Sequence, residues 1–164
     1  MLYRINLDSR WRKLLGLSEP DLHMKDIEIL LRAFAMMMCG AEYRPSMTRF
    51  LNLTSKRAGY LSKEKVDYLE KLFNAFLVSC SFLPENAFFR ANEERVNISF
   101  IDSVFAAQCT AAFSNSILDL PVLSPEKLQY LKMDPEFVIA AQFDIASSTN
   151  VAKRLGRSNI IFHG

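Results

Sequence analysis

Apolar residues recur at three- and four-residue intervals along most of this 164-residue chain. In "VDYLEKLFNAFLVSCSFL", Val66, Leu69, Phe73, Phe76 and Leu77 share one side of a 3.6-residue repeat. The pattern predicts about eight helices, at 8–15, 24–39, 46–58, 63–82, 98–118, 125–132, 135–144 and 150–156. Polar residues punctuate them. "LSPEKLQYL" offers Ser124 as N-cap, Pro125 at the first helical position and Glu126 in the first turn, and "DPEFVIAAQF" repeats this with Asp134, Pro135 and Glu136. Ser46 and Ser62 open two more helices, and Pro84 ends the long run. Gly16, Gly40, Gly59 and Gly156 each follow a helical run, the placement of a C-cap. The single strand signal is "NIIFH", Asn159 to His163, too short to stand without a partner. Residues 83–97 are the longest connection, with a partial helix expected inside it. The fold class is all-α: an irregular multi-helix bundle in one domain, with 24–39, 63–82 and 98–118 as central helices.

The segment "MKDIEILLRAFAMMMCG" is apolar almost all round. With Ile27 at zero and steps of about 100°, Leu30, Leu31, Phe34 and Met38 form the expected buried stripe. Ile29, Ala33 and Met36 lie opposite and are apolar too, as befits a central helix. The narrow polar flank holds Glu28 and Arg32, four apart with the acid first, so a structural ion pair is expected between them. Asp102 on another helix, or a group in an absent domain, are the other partners open to Arg32. Met36, Met37 and Met38 diverge, which predicts core filling rather than a soft-metal site.

Composition adds limits. Half the residues are hydrophobic and 23% charged, ordinary for a soluble globular protein. Cys39, Cys80 and Cys109 sit far apart in apolar runs and read as reduced, buried thiols, which suggests a reducing cytoplasm. "MLYRINLDSR" lacks the apolar run of a secretory signal, and no apolar stretch reaches bilayer length, so no membrane association is expected. The two histidines have no second ligand at useful spacing, no C-x-x-C, H-E-x-x-H or G-x-S-x-G occurs, and the five glycines are dispersed. No catalytic residue, metal or cofactor is predicted.

Charge is uneven although the net value is only +2. Between Arg44 and Lys65 stand Arg44, Arg49, Lys56, Arg57, Lys63 and Lys65, against the single acid Glu64. Lys153, Arg154 and Arg157 form a second group. Either these are solvated helix faces, or Arg44, Arg49, Lys56, Arg57, Lys153, Arg154 and Arg157 contact a nucleic-acid backbone. Tyr43 and Tyr60 flank the first patch as weak stacking candidates.

The runs "WRKLLG", "HMKDIEILLRAFAM" and "YRPSMTRFLN" resemble the helical half of the GmrSD-type restriction-endonuclease N-terminal domains. The matching positions are Trp11 to Gly16, Met24 to Phe34 and Tyr43 to Asn52. "VNISFIDSVFAA" is similar through Asn97, Phe100, Asp102 and Val104, and "SSTNVAKRLG" through Thr149, Val151 and Arg154. Each motif alone is unspecific, and His23 stands where the family often has arginine. The resemblance implies defence against foreign, often modified, DNA. Family members usually join this half to a ParB/sulfiredoxin-like nucleotide-binding domain with an Asp-Gly-Gln-Gln-Arg-like motif, and many add an HNH nuclease domain. This sequence contains neither that motif nor paired HNH histidines. The expectation is therefore a non-catalytic helical portion of a restriction protein, truncated or cut from a longer chain. It would contact DNA, or a nucleotide-binding or nuclease domain or subunit. The alternative is a stand-alone helical protein–protein interaction module.

Overall fold

The computed structural model of the chain describes residues 1–90 and 93–164. Their helices are α1 (Leu2–Ile5), α2 (Ser9–Leu15), α3 (Lys25–Cys39), α4 (Met47–Ala58), α5 (Lys63–Ser79), α6 (Ile98–Asn115), α7 (Pro125–Met133), α8 (Pro135–Gln142) and α9 (Ser148–His163). A 3₁₀ turn, Gly40–Glu42, continues α3. The all-α expectation holds. Short polar side chains start the helices, because each accepts an otherwise orphaned N–H of the first turn. Asp8, Ser46, Ser62, Asn97, Ser124, Asp134 and Ser147 all do so.

Three expectations are corrected. First, "NIIFH" is not a strand: it completes α9, which runs from Ser148 to His163 rather than 150–156. Phe162 is buried in the main core and Ile161 packs against it, so tertiary burial overrides the strand preference of the isoleucines. Second, Gly156 consequently lies inside α9, and Gly40 and Gly59 end their helices with right-handed φ of −59° and −62°. Of these four glycines only Gly16 takes a left-handed cap, at φ +64°. Gly40 lies close to α9: a Cβ there would be 2.9 Å from Leu155 Cδ1, and that side chain would have to shift. Third, the described part of 83–97 holds turns and an isolated antiparallel bridge between Phe89 and Val96, not a partial helix. Ala91 and Asn92 lie outside the described residues.

The core forms around α3 and α6, the most extensively packed helix pair, with α9 against α6 and α5 beside it. Aromatic rings fill the centre. Phe105 meets Phe34 at 5.1 Å and Phe76 at 4.8 Å, both edge-on, and Trp11 meets Phe73 at 5.5 Å. Edge-on pairs at this spacing stabilise beyond their buried area, by about 1 kcal/mol each. A second cluster joins Ala35, Met36, Tyr43, Phe50, Leu51, Ala106 and Val151, fixing α4 on the outer side of α3. Helices on two sides widen the burial of α3 beyond the expected stripe, of which Leu30 and Phe34 are buried. Ile29, Ala33, Met36 and Met37 are buried, whereas Ile27, Leu31 and Met38 are half-buried.

Candidate functional site

Most of the chemistry-bearing residues are spent on holding helices together. Arg32 is buried on α3, and its guanidinium cannot stay there without a counter-charge. The partner is Asp102 of α6, at 2.5 Å, not Glu28. Glu28 sits exposed on the rim of α3, where water solvates it. Arg32 also donates to Ser99 Oγ at 3.3 Å, and Ser103 Oγ donates to the other oxygen of Asp102 at 3.0 Å. Arg154 reaches the same carboxylate from α9, at 3.9 Å, and donates to the carbonyls of Ala140 and Ile145 at 3.1 and 2.7 Å. Burial lowers the Arg154 pKa below the usual guanidinium range; the Asp102 charge opposes that shift and the Arg32 charge adds to it. One carboxylate thus braces α3, α6 and α9, and Arg154 extends the brace to α8.

A second buried pair, unforeseen in the sequence, ties the first helices to α3. Arg12 and Asp26 meet at 2.7 Å, and Asn6 donates to Asp26 at 2.9 Å. Arg12 also donates to the Glu19 carbonyl. Burial by itself raises the Asp26 pKa, but hydrogen bonds from Asn6, Arg12 and the N–H groups of Asp21 and Ile27 outweigh it and bring it down to about 2. Asp26 is polar at a position facing the core. That is the one sequence signal that marks it.

The predicted DNA-binding residues divide. Arg154 is 1% exposed and is removed from the set, because a buried guanidinium in an internal brace cannot reach a phosphate. Arg157 is removed as well: its Nε donates at 3.1 Å to Asp134, the N-cap of α8, and its Nη2 to the second oxygen. Arg57 faces solvent but pairs with Glu42 at 3.3 Å. Arg44, Arg49, Lys56 and Lys153 are exposed and belong to none of the ion pairs among the described residues. Lys65 lies over the Phe113 ring at 4.2 Å.

On α4 the sorting follows from helix geometry. Phe50, Leu51 and Thr54 are buried. Arg49 and Lys56, seven residues apart, fall on the opposite side with Asn52 and Leu53 between them. Tyr60, 92% exposed, stands just past the helix end. Tyr43 is buried instead, its hydroxyl donating to the Ala146 carbonyl at 2.6 Å, so it is not a stacking residue.

The thiols and histidines are likewise engaged or quiet. Cys80 and Cys109 are buried, which pushes their pKa up, for Cys80 to about 12 despite an opposing hydrogen bond from Ser79; Cys39 is free and half-buried. A ring nitrogen of His163 lies 2.7 Å from the Ala107 carbonyl. Among the described residues, no group of three or more His, Cys, Asp or Glu is placed to hold a metal ion, and no helix is long and apolar enough to cross a membrane. Compared with protein-family models, curated proteins and solved structures, the chain matches none.

Proposed function

We propose that this chain is the non-catalytic helical portion of a defence-type, modification-dependent DNA restriction protein. It scaffolds a nucleotide-binding domain and offers the outer face of α4 to the DNA backbone or to a partner subunit. One observation carries the DNA contact: Arg49 and Lys56 share the solvent side of α4 with no carboxylate partner, with Arg44 ahead of them and Tyr60 beyond. Unneutralised bases at this spacing gain by releasing counterions from DNA phosphates, whatever the base sequence. The restriction context comes from the resemblance of the motifs around Trp11, Arg32 and Phe50. The scaffold role draws support from the Arg32–Asp102–Arg154 brace, which fixes three helices through one buried carboxylate.

The test is binding of a labelled duplex of about 20 base pairs at low salt by the full chain and by Arg49→Glu/Lys56→Glu. Both positions are exposed, so the variant should keep its helical circular dichroism and lose on the order of tenfold or more in affinity. Equal affinity of the two proteins, or no binding by either, sinks the DNA reading and leaves the stand-alone protein–protein interaction module. DNA cleavage or nucleotide hydrolysis above a no-protein control contradicts the non-catalytic part.

A further inference from the structure

We infer that the trough between the end of α3, α6 and α9 binds a single-chain amphiphile with a small anionic head. The trough has a volume of about 800 Å³, within the range of small-molecule sites. Its floor is apolar and buried: Met36, Met37, Ala106 and Val151, with Leu155 alongside. Its rim carries small exposed side chains, Ala41 and Ala152 among them, which leave the opening unobstructed. The three consecutive methionines, divergent on a helical wheel, all line this one space. Thioether chains rearrange easily around a flexible apolar guest.

Charge sets the identity of the head. No Asp or Glu lines the trough, and its one ionised side chain is Arg44. Arg44 belongs to none of the ion pairs among the described residues; it donates to the Tyr43 carbonyl at 2.8 Å. The Tyr43 hydroxyl, bonded to the Ala146 carbonyl, holds this segment against the start of α9. There Ser148 and Thr149 line the trough and add hydroxyls and the positive end of a 16-residue helix. Positive charge is therefore confined to this end, while Thr110, Ser114 and Asn159 add uncharged polar groups elsewhere in the lining. Asn159, ten residues further along α9, lines the other end, about 15 Å away along the helix. A carboxylate or phosphate at Arg44 would leave a chain of about laurate length lying over the methionines. The trough shares Arg44 with the DNA-binding reading, while Arg49 and Lys56 do not line it.

The probe is laurate, below its micelle threshold, titrated into the full chain and followed by methionine-methyl NMR and calorimetry. Saturable binding should shift Met36, Met37 and Met38, and leave Met1 and Met133 in place. Each methylene from octanoate to laurate should tighten binding about threefold to fourfold. Arg44→Gln should weaken laurate but not dodecanol, and Ala152→Trp, at an exposed position, should fill the trough and abolish both. Shifts spread over Met1, Met24 and Met133, equal binding of dodecyltrimethylammonium, or no binding at millimolar laurate would each overturn the proposal. The NMR measurement on the unaltered chain decides the matter even if a variant fails to fold.

Discussion

At the scale of single residues, buried charge governs this protein. Arg32 and Asp102 are each almost inaccessible, and removing Arg32 leaves the buried Asp102 with only the more distant Arg154, at 3.9 Å, as counter-charge. Arg32→Ala should cost about 3–5 kcal/mol, read as a lower urea midpoint. Glu28→Ala, at an exposed position four residues away, should change stability by less than about 0.5 kcal/mol. The reverse order would restore the local ion pair. Asp26 gives a pH signature. Its folded pKa of about 2 lies below the ordinary carboxylate value, so its contribution is complete above about pH 4 and is lost as pH falls through about 2. The shift corresponds to roughly 2 kcal/mol. The stability gap between the native chain and Asp26→Asn should narrow steadily between about pH 4 and pH 2, measured by urea unfolding at each pH. A constant gap would remove the linkage.

At the scale of elements, helix starts were legible because an N-cap is a local event. Ser46, Ser62, Ser124 and Asp134 cap the helices their sequences announce. Helix ends were less legible. Glycine after a helical run permits a left-handed cap but does not ensure one, and Gly156 shows why: the next residues keep burying apolar surface, so α9 continues through it. This is testable, because a Cβ at Gly156 would meet nothing within 4 Å. Gly156→Ala should therefore stabilise the protein by about 0.5–1 kcal/mol, seen as a higher thermal midpoint. Destabilisation would mean a helix end at that glycine. The sequence named Asp102 among the partners open to Arg32 but could not choose it over Glu28, for another reason. An i,i+4 acid is visible in one dimension, whereas Asp102 comes within reach only when α3 and α6 pack.

At the scale of the molecule, the sequence charge count overstated the surface available to DNA. Arg154 and Arg157 were counted with the free bases, yet both serve helix packing. Periodicity would have hinted at this, since Arg154 follows Val151 by three on the buried side of α9. What remains exposed are Arg44, Arg49, Lys56 and Lys153, with Lys63 at the start of α5 exposed as well. In the proposed DNA contact, so few bases would neutralise few phosphates and give a modest salt dependence. The most direct measurement is duplex affinity of the full chain from about 50 to 200 mM salt. If these four bases each meet a phosphate, log K should fall against log salt with a slope of about −3 to −4. A slope near zero, or no measurable binding at the lowest salt, would contradict the assignment of α4 to DNA.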